Sequence, residues 1–188
     1  GFSGINTINL GSYTGSISLG SNATTMGLTT IDASGNTGTL SIDASAMSTS
    51  VTINATNANG STYKGSSVAG DILNINNALT SQDASSITGI ETINVNANTT
   101  FTGDLTGVTN LTIASGKTLN VDASAVSSDT TTIANAGTLA INNTNGAALG
   151  GLTMTGAGAL QINGTSSSDT ITLNSTVTSY TGTITIDG

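Results

Sequence analysis

The sequence predicts an all-β protein, a parallel β-solenoid of short strands in the form of a right-handed β-helix or a β-roll, and three observations carry the prediction. Apolar-x-apolar pairs recur along the whole 188 residues, one phrase, Asp-Ala-Ser, is used four times, and the polar remainder is Ser, Thr, Asn and Gly instead of Lys, Glu and Arg. The pairs are Ile8/Leu10, Ile17/Leu19, Leu40/Ile42, Val51/Ile53, Leu73/Ile75, Ile93/Val95, Leu111/Ile113, Leu119/Val121, Leu139/Ile141, Leu152/Met154, Leu160/Ile162, Ile171/Leu173 and Ile184/Ile186. Alternation with a period of two is that of a half-buried strand whose intervening Thr, Ser or Asn faces out.

Successive pairs stand mostly about 8 to 13 residues apart with Gly, Asn, Asp and Ser between them. That spacing suits either a β-sandwich, the alternative fold, or a solenoid of two or three strands per coil. Two features favour the solenoid. The connections lack Pro and hold few Asn-Gly hairpin turns (Asn59-Gly60, Asn145-Gly146, Asn163-Gly164), whereas Asp32-Ala33-Ser34, Asp43-Ala44-Ser45, Asp83-Ala84-Ser85 and Asp122-Ala123-Ser124 repeat one another. In a stack of coils each exit turn meets the same geometry, so Asp or Ser bonds backbone amides while Ala packs inward. The doubled phrase at 29–45, TTIDASGNTGTLSIDAS, then reads as two corners of a coil. No apolar stripe at i, i+3, i+4 persists beyond a turn, so helix has little support.

In domain terms, residues 1–188 read as a single solenoid segment. A solenoid has no natural stopping length, and the opening at Gly1 without Met and the close in mid-pattern at Ile186-Asp187-Gly188 favour a slice of a longer repetitive protein. Residues 54–70 interrupt the apolar pairs with Asn, Gly, Ser and Thr and read as a loop inserted between coils.

Charged residues make up 6% and aromatics 3% of the chain, against about a quarter charged in ordinary domains, so neither ion-pair networks nor an aromatic core holds this fold. Disorder is disfavoured because disordered chains pair high net charge with few β-branched apolar residues, and this chain is rich in Ile and Val. Lys64 and Lys117 face nine Asp and Glu91, a net charge of −8, which excludes nucleic acid as a main partner because phosphate binding needs clustered cations. No segment reads as a signal peptide, and none reaches the ~20 apolar residues of a membrane span. A Cys-free, acidic chain rich in Thr and Gly fits an extracellular, cell-surface protein.

Without His, Cys or Arg, zinc sites, thiol nucleophiles and Ser-His-Asp triads are unavailable. Glycoside cleavage has carboxylates but only Phe2, Phe101, Tyr13, Tyr63 and Tyr180 for stacking on sugar, so no enzyme is expected. An ice-binding solenoid needs an outward Thr-x-Thr ladder. Thr170/Thr172 and Thr183/Thr185 comply, but Ser41, Asn74, Asn120, Ala140 and Gln161 interrupt the ladder, and thermal hysteresis is not expected. Calcium is the chemistry left open, since it takes ~6 to 8 oxygens of the kinds that Asp, Asn and carbonyl-exposing turns supply. GTSSSDTITL (164–173) and SSVAGDILNI (66–75) each set an Asp after a small-residue turn and before an alternating strand.

Those two stretches resemble weakened forms of the calcium-binding nonapeptide of RTX proteins, G-G-x-G-x-D-x-U-x, which implies Asp71 and Asp169 as calcium ligands. Most of the turn glycines are replaced here and no two copies are consecutive, and in the alternative each Asp caps a turn. LTTIDASGNTGTLSIDAS (28–45) and ITGIETINVNA (87–97) are similar to phrases of bacterial S-layer proteins and related large surface proteins exported by type I secretion. The resemblance implies a surface-lattice subunit that assembles with copies of itself, uses calcium within and between copies, and belongs to a protein anchored to lipopolysaccharide or another surface glycan. A surface adhesin or extracellular filament subunit is the alternative.

Overall fold

The computed structural model describes residues 2–126, 131–142, 152–165 and 179–187. They form an all-β parallel solenoid of about seven turns with little helix. The long sheet runs β1 (Thr7–Asn9), β3 (Thr30–Asp32), β5 (Thr52–Asn54), β7 (Ile72–Ile75), β10 (Thr92–Val95), β12 (Asn110–Ile113), β14 (Thr132–Asn135) and β16 (Thr153–Thr155). A first flanking sheet holds β2 (Gly15–Ser18), β4 (Leu40–Asp43), β6 (Thr62–Lys64) and β9 (Ile87–Thr88). A second runs β8 (Leu79–Asp83), β11 (Thr99–Thr102), β13 (Thr118–Asp122), β15 (Thr138–Asn142), β17 (Ala159–Asn163) and β18 (Thr183–Asp187).

Every strand pairing among the described residues is parallel, and each strand pairs with its counterpart one coil away. This rules out the sandwich, whose hairpins would pair antiparallel. In the long sheet Ile8, Ile31, Ile53, Leu73, Ile93, Leu111, Ile133 and Met154 are register partners in succession. The coil length that this sets is not constant: it ranges from 23 residues (Ile8 to Ile31, 31 − 8) to 18 (Ile93 to Leu111, 111 − 93). Turns absorb the difference, so the strands keep their register.

The apolar pairs supply the spine. Ile31, Ile53, Leu73, Ile93, Leu111, Ile133 and Met154 are fully buried in one column, Ile75, Val95 and Ile113 lie beside them, and Leu119/Val121, Leu139/Ile141 and Leu160/Ile162 face them from the second flanking sheet. Ile171/Leu173 lie outside the described residues, and Ile184 and Ile186 of β18 are exposed. The cross-section changes in the fourth coil, where β7, β8 and β9 make three strand sides in one turn. β9 ends the first flanking sheet and β8 begins the second.

Two local features differ from the sequence reading. Residues 54–70 are not an inserted loop: β6 occupies Thr62–Lys64, pairs with β4 and β9, and buries Tyr63. The apolar pair is missing there because one tyrosine fills the interior volume in its place. A short helix, α1 (Ser21–Met26), stands between β2 and β3. Six residues are too few to show a helical period or to be stable alone. Burial of Ala23 holds it, and Gly27 ends it at φ 89°, its N–H bonded to the Thr24 carbonyl and the Leu28 N–H to the Ala23 carbonyl, a left-handed stop that favours glycine.

Ile93 sits mid-spine, between Leu73 and Leu111. Ile93→Ala is expected to lower the unfolding free energy by about 2–5 kcal/mol through lost burial and a residual cavity, as measured by denaturant unfolding.

Candidate functional site

The Asp-Ala-Ser corners are built alike. In Asp32-Ala33-Ser34, Asp43-Ala44-Ser45 and Asp83-Ala84-Ser85 the Asp Oδ1 accepts the Ser backbone N–H, at 3.1, 2.9 and 2.9 Å, and the Ser hydroxyl at 2.6 Å in each. Ala33, Ala44, Ala84 and Ala123 are buried, since a larger side chain would push the turn off the core. Asp32 ends β3 and Asp43 ends β4, so the doubled phrase does form two corners of one coil. The Ser34 hydroxyl and amide hold the Asp32 carboxyl below its usual value, with Asn54 adding to this. The Ser45 hydroxyl and amide, then the Lys64 ammonium 3.6 Å away, do the same for Asp43.

Asp71 belongs to a different device. It is fully buried at the corner leading into β7. Its Oδ1 accepts the Val51 N–H from the coil below at 2.6 Å, and its Oδ2 accepts the Ser66 N–H at 2.6 Å and the Ser66 hydroxyl at 2.9 Å. One coil further on, Glu91 repeats the contact: its Oε2 accepts the N–H groups of Gly70 and Asp71, each at 2.9 Å. The two carboxylates thus bracket three successive coils along a column that also contains Val51, capping amides that the turn leaves without a carbonyl. Gly65 closes the space. A Cβ there would stand 1.8 Å from the Gly89 carbonyl oxygen and 2.7 Å from Asp71 Oδ2.

In this arrangement Asp71 acts as a cap: its two oxygens accept three hydrogen bonds from N–H and O–H donors, which is the alternative to a calcium ligand, and among the described residues no group of three acidic side chains that could hold a metal comes together. Asp169 lies outside the described residues. Sequence reading missed Glu91, whose only signal was its place 20 residues after Asp71, one coil length.

A second buried polar group fills the fourth-coil transition. The Thr56 N–H donates to Tyr63 Oη (3.1 Å), and Thr56 Oγ1 lies 3.0 Å from Ser61 Oγ. Gln82 is fully buried, and its Nε2, with two hydrogens to donate, has three acceptors in reach, the Ser61 and Asp83 carbonyls (2.8 and 3.1 Å) and Ser86 Oγ (3.0 Å), while its Oε1 is left without a partner. Every group in this cluster is a neutral hydroxyl or amide holding backbone. None is an activated nucleophile or a base.

Outside, the long sheet carries ladders of amides. Asn54 Nδ2 donates to Asp32 Oδ1 (3.4 Å), Asn74 Nδ2 to Asn54 Oδ1 (3.0 Å) and Asn94 Nδ2 to Asn74 Oδ1 (2.9 Å). Asn163 and Asn142 repeat the contact at 2.7 Å on the second flanking sheet. Comparison with protein-family models, with curated proteins and with solved structures finds no match.

Two outcomes test these assignments. Asp71→Asn turns an amide donor toward amide donors and is expected to cost at least ~1–3 kcal/mol, equally with calcium and with a chelator; a loss seen only in calcium would return the residue to metal binding. A carboxyl whose folded pKa lies below its unfolded value of 3.8 stabilises the fold above that value and loses this contribution as pH falls through the folded pKa. Asp32→Ala and Asp43→Ala should therefore melt below the wild type at neutral pH, with the gap narrowing under pH 3.8; a gap that stays constant into strong acid would show that the charge contributes nothing.

Proposed function

We propose that the chain is a structural segment of an extracellular cell-surface protein, an S-layer lattice subunit that packs against copies of itself and has no catalytic role. The observation that supports this reading is the unbroken parallel stack, whose strand faces present hydroxyls and amides in repeating rows. Repeats of this kind offer extended surfaces on which many weak, identical contacts add up. The fold is compatible with other extracellular scaffolds, and the phrase-level similarity to S-layer proteins is what selects the lattice.

Calcium acts between copies in this proposal, since the bracketing carboxylate at Asp71 is already engaged. Each copy carries a net charge of −8, and Asp83 and Asp187 are exposed, so neighbours repel unless cations intervene. Purified protein is expected to form sheets visible by electron microscopy in calcium and to disperse on chelation, with sodium chloride at matched ionic strength a weaker substitute. Filaments in place of sheets would select the filament subunit, and dispersed particles the adhesin. Assembly and melting temperature that ignore chelation would defeat the calcium requirement.

A further inference from the structure

The outer face of the long sheet holds a pattern that the apolar pairs conceal in the sequence. Register places Thr7, Thr30, Thr52, Ile72, Thr92, Asn110, Thr132 and Thr153 in one outward column. The neighbouring column, two residues along each strand, reads Asn9, Asp32, Asn54, Asn74, Asn94, Thr112, Ala134 and Thr155. Of these sixteen positions eight are Thr and five Asn, with one charge, Asp32, and no aromatic ring. Along the chain this pattern is hidden, because unequal turns separate residues that stand side by side in the sheet. Here the threonines align across coils, and Asn is the outward partner on the strand of three of the six in the first column, Thr7, Thr52 and Thr92.

We propose that this face binds ice. Four properties of the sheet point to that occupant. First, the array is periodic in two directions, at roughly 4.8 Å between strands and 6.6 Å between outward residues of one strand, and the oxygen rows of hexagonal ice repeat at similar distances. Second, the pairing runs through all eight strands without a register shift, whereas the second flanking sheet has one between Thr99 and Phe101. Third, the Asp32–Asn54–Asn74–Asn94 ladder fixes its amides to one another, so they meet water in one orientation. Fourth, the inward partners Ile31, Ile53, Leu73, Ile93, Leu111 and Ile133 are fully buried, which holds the backbone beneath the array rigid. Threonine suits such a surface twice over: its methyl restricts the orientation of first-shell water, and its hydroxyl anchors that water to the lattice.

Other partners fit this face less well. One carboxylate and no cation give nothing to a charged peptide or a phosphate. Without a ring on the face, sugar has nothing to stack on.

The test is adsorption of the fluorescently labelled 188-residue chain to a growing ice crystal, read together with thermal hysteresis. Wild-type protein is expected to coat the ice and to depress its growth. Thr52→Tyr and Thr92→Tyr, which raise bulk in mid-array, should lose both effects while their melting curves stay close to the wild type; Gln161→Tyr, exposed on the second flanking sheet, should keep them. A gain separates the face from mere misfolding: Ile72→Thr with Asn110→Thr completes the column from Thr7 to Thr153 and is expected to raise hysteresis. Exclusion of the wild type from ice would overturn the proposal, as would a Thr92→Tyr variant that binds ice as the wild type does. So would a face whose Tyr variants only dissolve oligomers of the protein. The proposal stands apart from lattice assembly, since chelator-dispersed protein should bind ice as well as assembled protein does.

Discussion

Parallel pairing of each strand with the same strand one coil away is the constraint on which the rest of the molecule depends. A parallel ladder needs both edges of every inner strand occupied, so each coil is completed by its neighbours, and stability accumulates from nearest-neighbour terms. Once register is set, the period of two sends every second residue into one narrow interior. The column from Ile31 to Met154 follows from that geometry. It also explains how coils of 18 and 23 residues coexist: the strands cannot slip without turning their apolar residues outward, so length variation is expelled to the corners.

The corners then carry the remaining cost of the fold. A chain that turns after every two to five strand residues leaves amides and carbonyls without ladder partners, and charge is too scarce here to do more than cap them. Asp32, Asp43 and Asp83 close their turns locally through the Ser two residues on. Asp71 and Glu91 work across coils. Buried asparagines do the same with neutral groups: Asn36 donates to the Leu10 and Tyr13 carbonyls while its oxygen takes the Gly38 N–H, and Asn135 donates to the Ala159 carbonyl and takes the Gly137 N–H. Most of the acidic residues whose contacts are described thus serve the backbone, which is why a carboxylate count reads as metal binding more readily than the geometry permits.

With the interior largely aliphatic and the Asp-Ala-Ser corners capped from within, what the protein offers to its surroundings is its strand faces. The outer face of the long sheet is regular and carries one charge, Asp32, among its aligned outward positions. Among the described residues no pocket brings several groups together, and a regular face of this kind suits the periodic partners proposed above, copies of the chain or a crystalline surface.

The strand period and the repeated Asp-Ala-Ser phrase were legible in the sequence, because inward positions of a solenoid share one environment and so share residue types. They determined the class of fold, most of the core pairs and the chemistry of the corners. The sequence could not show Tyr63 standing in for an aliphatic pair within 54–70, since one large residue satisfies the same volume that two small ones fill elsewhere. It could not show that Asp71 points into amides from the coil below, nor that Glu91 extends the same column. Nor could it align Thr52 with Thr92, because unequal turns displace the rungs along the chain by amounts that only pairing in space removes. Local alternation is written residue by residue, whereas register between coils is decided by which backbone edges meet, and that belongs to the tertiary structure alone.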